Sequence, residues 1–120
     1  MGIIIEWERR DGILVATLTG RIDGSNASEF QKTLEAGIDP GDYALILDFE
    51  QVSFISSAGL RVVLILAKKF NEPGKDFRIC TLSDPARGVI TMSGFDRIIS
   101  VHESQTAAVD AVEKIRATRS

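Results

Sequence analysis

Apolar positions recur every second residue at the start of this chain and every third or fourth residue soon afterwards. "IIIEWERR" and "ILVATLTGRI" are strand-like runs separated by Asp11-Gly12, a dipeptide that favours a tight hairpin. In the second run Leu14, Ala16 and Leu18 alternate with Val15, Thr17 and Thr19, the pattern of a half-buried strand. The period then lengthens. In "SNASEFQKTLEAG", Ala27, Phe30 and Leu34 fall on one helical face, with Asn26 and Glu29 as a capping box and Gly37 as the stop. "ALILDF" is apolar almost throughout, as a central strand covered on both faces should be.

Ala58 to Phe70 reads as a helix apolar nearly all round, hence mostly buried, closed by Asn71 and "EPGKD". "FRICTL" is a strand with Cys80 on the same face as Leu82. "SDPARGVITMSG" is a short helix with Asp84 as cap, Pro85 in the first turn and Gly94 past the end. "RIISVH" is a last strand, and "SQTAAVDAVEKIRA" a final helix carrying Ala108, Ala111, Val112 and Ile115 at helical spacing. The order β-β-α-β-α-β-α-β-α predicts an α/β fold: a mixed, mostly parallel sheet of about five strands with about four helices packed on it. Residues 1–120 are expected to form one domain, the size that a chain of 120 residues suits.

Composition narrows the function without naming it. Seventeen acidic against fourteen basic residues give a net charge of −3, which argues against nucleic-acid binding. The one basic concentration, "KIRATRS", reads as cations near a helix C-terminus. No run approaches the ~20 apolar residues of a membrane span, and "MGIIIEWERR" lacks the pattern of a cleavable signal. A cytoplasmic protein with no membrane partner is therefore expected. The lone Cys80 suits a buried, inert thiol.

Motifs of enzyme chemistry are missing. "PGKD" lacks the spacing and the hydroxyl of a phosphate loop, and no G-x-G-x-x-G follows the first strand. "SSAGL" has no glycine two before either serine, so it is not a nucleophile elbow. His102 reads as a surface or packed histidine rather than a catalytic base, and Asp48 and Glu50 as strand-end carboxylates facing solvent. One His and one Cys do not assemble the usual zinc or transition-metal site, so neither metal nor other cofactor is implied.

What remains is "FISSAGLRVV". If the helix starts near Ala58, Ser57 lies at or beside its N-cap and its hydroxyl can accept from the amide of Gly59 or Leu60. The residues leave a second reading open. Small side chains keep the helix start accessible, and a phosphate there would face the positive end of the helix dipole and free amides.

"LDFEQVSFISSAGLRVVL" resembles the core motif of the STAS domain family, specifically its stand-alone anti-sigma factor antagonists, and "GRIDGSNASEFQKTL" resembles that family's segment between second strand and first helix. The resemblance implies a partner-switching regulator and no enzyme. Unmodified, such a protein binds an anti-sigma factor, a serine kinase that itself binds ATP; phosphorylation releases it, and a PP2C-type phosphatase restores it. It places Ser57 at the phosphoacceptor position, with Ser56 as the alternative, and Asp23 at the acidic position near that serine. Asp23, Gly24, Ser25 and Asn26 together with Ser56, Ser57, Ala58, Gly59, Leu60 and Arg61 would form the partner-binding face. Against the family pattern, Ser56 stands where an Asp is common and Ala58 where a second hydroxyl is common. A different role also fits the family: an accessory or scaffold subunit of a transporter or sensory complex, without phosphate turnover.

Overall fold

A computed structural model describes residues 2–119. Met1 and Ser120, the ends of the expected domain, lie outside the described residues, and Ser120 with them from the basic run. β1 (Ile4–Arg10) and β2 (Ile13–Ile22) form an antiparallel hairpin. Its turn has positive φ at both Asp11 (53°) and Gly12 (83°), the backbone that a two-residue hairpin needs and that Asp-Gly tolerates. After α1 (Ala27–Gly37) come β3 (Ala44–Ile55), α2 (Ser57–Lys69), β4 (Asp76–Cys80), α3 (Asp84–Ser93), β5 (Ser100–His102) and α4 (Gln105–Arg119). The sheet order is β1-β2-β3-β4-β5, with every pair after the hairpin parallel. The predicted order and the mixed, mostly parallel sheet are both present.

β3 is the central strand, and Ala44 to Phe49 are all buried. One face carries the larger core, where Leu14, Leu18, Leu45 and Leu47 meet Phe30 and Leu34 of α1, Val63 and Leu66 of α2, and Ile90 of α3. The other face is covered by α4 through Ala108 and Val112, over Ile13, Val15, Ala44, Ile46 and Cys80. This second layer corrects the half-buried reading of β2, because Ile13, Leu14, Val15 and Ala16 are all buried. It also bears on Cys80. Thr81 has φ 57°, which breaks the strand alternation, so Cys80 and Leu82 enter opposite cores rather than sharing a face.

Several boundaries differ from the pattern. α2 is buried along Gly59, Leu60, Val62, Val63 and Leu66, while Leu64 and Ile65 are only half-buried. Ser83, not Asp84, caps α3: its Oγ accepts from the Ala86 amide at 3.4 Å and donates to the Val52 carbonyl at 2.6 Å. The last strand is only three residues long, since Phe95–Arg97 coils into a 3₁₀ turn. Gly37 is the final residue of α1, not a stop beyond it, and lies under the Trp7 ring, where a Cβ would come within 2.5 Å.

Candidate functional site

The second and third strands end side by side. Ile22 and Ile55 are partners in the parallel register, so the segments that follow them, Asp23–Asn26 and Ser56–Arg61, emerge at the same end of the sheet. The Ser56 amide donates to the Ile22 carbonyl at 2.8 Å, which stitches the start of α2 to the end of β2.

Ser56 is the N-cap of α2. It has extended backbone (φ −89°, ψ 175°), its Oγ accepts from the Gly59 amide at 3.2 Å, and its carbonyl accepts from the Leu60 amide at 2.9 Å. Ser57 therefore lies beside the cap, one of its two expected placements, but the hydroxyl that accepts the capping bond is that of Ser56. Ser57 is the first helical residue, exposed, and among the described residues nothing hydrogen-bonds its hydroxyl. A signal for this was present in the chain: Ile55 and Leu60 flank Ser56 at the spacing of a hydrophobic staple, and both are buried in the same core.

Gly59 lets the helix come down on the strand ends. A Cβ there would lie 2.7 Å from Ile22 Cγ2 and 2.8 Å from Ile55 Cγ1. Leu60 follows into the core at 6% exposure, while Arg61, one position on, is exposed.

The facing loop is held by its own side chains. Asp23 Oδ1 accepts from the Ser25 hydroxyl at 2.6 Å and from the Ser25 amide at 2.9 Å. Those two bonds, with Arg21 Nε 3.9 Å from Oδ2, hold the Asp23 carboxyl below its ordinary value despite some desolvation. Asn26 is 6% exposed; its Oδ1 accepts from the Asp23 amide at 2.9 Å and its Nδ2 donates to the Arg21 carbonyl at 2.7 Å. It begins α1 without a side-chain cap, so the capping box with Glu29 does not form. The Asn26 oxygen is already committed to the loop.

The structure thus brings both predicted segments together but divides their work. Asn26, Gly59 and Leu60 are buried and position the face. Gly24, Ser25, Ser57 and Arg61 are exposed on it, with Asp23, Ser56 and Ala58 half-buried between them. Two neighbours were missed: Arg21 and Phe54 are register partners one step before Ile22 and Ile55, and the Arg21 guanidinium lies over the Phe54 ring at 4.5 Å. The signal is the strand register itself, which a single strand's alternation does not reveal.

Elsewhere the reactive side chains are engaged in packing. Asp48 does not face solvent: it is 4% exposed, with Oδ2 accepting from Gln105 Nε2 at 2.6 Å and Oδ1 from the Glu50 amide at 2.9 Å. Glu50 is exposed, as expected. His102 Nε2 lies 3.0 Å from an Arg78 guanidinium nitrogen, and burial followed by that cation lowers its pKa. Burial pushes the Cys80 thiol up to about 11, so it is protonated and unreactive near neutrality. Among the described residues no cluster of three His, Cys, Asp or Glu is placed to hold a metal. No helix among them is long and apolar enough to cross a membrane.

Residues 5–108 match the family described as the STAS domain, a span that includes all of the sheet but the first residue of β1, the whole serine turn and the facing loop. The chain belongs to the STAS family. Of the relatives of this STAS chain, BtrV of Bordetella bronchiseptica, named as a candidate anti-sigma factor antagonist, is 38% identical over 104 residues, covering 87% of this chain and 90% of that one. The anti-sigma F factor antagonist of Paenibacillus polymyxa is 24% identical over 116 residues, covering 96% and 99%. The crystal structure of an anti-sigma factor antagonist from Mycobacterium paratuberculosis superposes with a TM-score of 0.84 at 26% identity, over 92% of this chain and 94% of that one.

Proposed function

We propose that this STAS protein is an anti-sigma factor antagonist that works by partner switching, with Ser57 as its phosphoacceptor. One observation carries the assignment of the residue: Ser56 takes the capping bond and so leaves the adjacent Ser57 hydroxyl exposed and uncommitted. The names of the relatives support the role, since they are anti-sigma factor antagonists matched over nearly the whole chain.

In this reading the unmodified protein docks on a serine-kinase anti-sigma factor through Asp23, Gly24, Ser25, Ser57, Ala58 and Arg61. The kinase supplies ATP, magnesium and the base. Ser57 Oγ attacks the γ-phosphorus, the bond from that phosphorus to the ADP oxygen breaks, and the hydroxyl proton passes to the kinase. The chain is the substrate of this step and contributes position, not catalysis. Phosphate adds a charge of about −1.5 to −2 at the first turn of α2. The helix dipole and free amides make that charge tolerable to the fold. The docked partner meets it differently, because a surface fitted to a neutral hydroxyl now faces an anion beside the Asp23 carboxylate, and the complex weakens. A PP2C-type phosphatase would return the hydroxyl by hydrolysis and reset the cycle in the cytoplasm.

The test is binding of the cognate kinase by two variants. Ser57→Ala should bind at least as well as the wild type and resist release by ATP. Ser57→Asp should bind at least tenfold more weakly, equivalent to about 1.4 kcal/mol. Equal binding by both variants, with release by ATP intact in Ser57→Ala, would remove Ser57 from the switch.

A further inference from the structure

The exposed face of α2 carries a second charge-bearing residue beside the acceptor. Ser57 and Arg61 are one helical turn apart and both exposed, while Leu60, Val62 and Val63 turn into the core. Residues at this spacing have Cβ atoms about 5–6 Å apart, and long helical side chains lean back toward the N-terminus, so Arg61 reaches over the turn that Ser57 occupies. Among the described residues the Arg61 side chain makes no hydrogen bond or ion pair, unlike Arg9, Arg21 and Arg78, each of which faces an acid. The other cations of α2, Lys68 and Lys69, lie in its last turn, at the far end of the helix.

We propose that phosphate on Ser57 captures Arg61 within the same helix. Phosphorylation then changes the docking face twice: it adds an anion and withdraws the one cation of that part of α2. Arg61 is thus exposed and without an ion-pair partner in the unmodified state, open to an acidic group, and held by the phosphate in the modified state. The chemistry suits both tasks, because a planar guanidinium donates two parallel hydrogen bonds to a carboxylate or to a phosphate. The order along the helix is the favourable one, with the anion N-terminal to the cation.

This inference rests on the reading of Ser57 as the phosphoacceptor, and its test is built so that the two can fail separately. Phosphoserine is introduced at position 57 by genetic encoding, and its second ionisation is followed by ³¹P NMR at low salt in three proteins: wild type, Arg61→Gln and Arg61→Lys. The helix dipole acts equally on all three, so the differences isolate residue 61. In Arg61→Gln the phosphate should titrate roughly 0.2–0.4 pH unit higher than in the wild type. Arg61→Lys should recover part of that difference, and 1 M salt should erase most of it. The Arg61 Nε–H resonance of the wild type should shift in step with the phosphate. Superimposable titration curves for wild type and Arg61→Gln, with a stationary Arg61 resonance, would overturn the capture. Because the phosphoserine is genetically encoded, the result does not depend on whether any kinase acts on Ser57. Unchanged thermal unfolding of unphosphorylated Arg61→Gln establishes that the exposed substitution leaves the fold intact.

Discussion

Ser56 and Ser57 carry the same hydroxyl, and a shift of one position along the chain gives them different work. Ser56 still has the extended backbone of the strand that precedes it, so its oxygen turns back onto the Gly59 amide. Ser57 is already helical and exposed, and among the described residues its hydroxyl makes no hydrogen bond. The distinction has a thermodynamic signature. Ser56→Ala should cost about 1 kcal/mol of stability in urea unfolding, as other lost caps do, while Ser57→Ala should change stability by less than half of that. A reversed order would return the capping role to Ser57. At this scale the sequence put Ser57 at or beside the cap, and the structure gives the capping bond to its neighbour Ser56; at α3 the cap moves one residue, from Asp84 to Ser83. In both places cap identity depends on where the preceding segment stops being extended, and hydroxyl and carboxylate residues in a row leave that point open. Asn26 shows a different limit. It stands at the helix start as expected, but its side chain is spent on Asp23 and Arg21, a choice set by the loop and invisible in the pattern.

At the scale of elements, alternation and helical spacing place the five strands and four α-helices of the described residues, while their lengths are set by tertiary contacts. β3 runs six residues past "ALILDF" to Ile55, and its register against β2 shifts between Thr17 and Thr19 and again between Gly20 and Arg21. Those irregularities carry the strand on to the serine turn. α4 is the only helix on its face of the sheet among the described residues, and its first residue fastens it there: Gln105 Nε2 donates to Asp48 Oδ2 and, at 3.1 Å, to Thr17 Oγ1. Reading Asp48 as solvent-facing failed because this helix is remote in sequence from the strand it covers, while Glu50, beyond its reach, is exposed as expected. Replacing Gln105 by Leu leaves a buried carboxylate one donor short and should destabilise the protein by about 1–3 kcal/mol. Amide exchange should accelerate first in the opening turn of α4, before the turn at Ser57 is affected. Unchanged exchange there would show that apolar packing through Ala108 and Val112 alone holds the helix.

For the whole molecule, the two cores and the end-on placement of the site separate stability from switching. The face around Ser57 sits at the ends of β2 and β3 and includes Asp23, whose carboxyl is held low there; further groups shifted by folding lie elsewhere. His102 is half-buried against Arg78, with Asp76 on the same strand and Glu103 beside it in sequence. Its pKa is lowered from 6.5, chiefly by burial, then by the Arg78 charge and against the opposing pull of Asp76. The unfolded chain therefore takes up this proton at a higher pH than the folded one, and stability falls as pH drops from about 6.5 toward the folded value. His102→Gln should flatten that part of the profile. A second loss should follow only in the acid range below the ordinary carboxylate value, as Asp42 is protonated and loses its bonds to Arg9 at 2.8 and 2.9 Å. Stability unchanged between pH 8 and 5 in the wild type would contradict the assignment. None of this was legible in the sequence, because a lone histidine acquires its environment only when β4 and β5 pair.

Partner switching at Ser57 is tested most directly by phosphopeptide mapping of the protein isolated from its own cells, in growth and under stress. The account predicts phosphate on Ser57, not on Ser56, with an occupancy that changes between the two conditions. Ser57 unmodified in both conditions would contradict it and leave an accessory or scaffold subunit as the better description of this STAS chain.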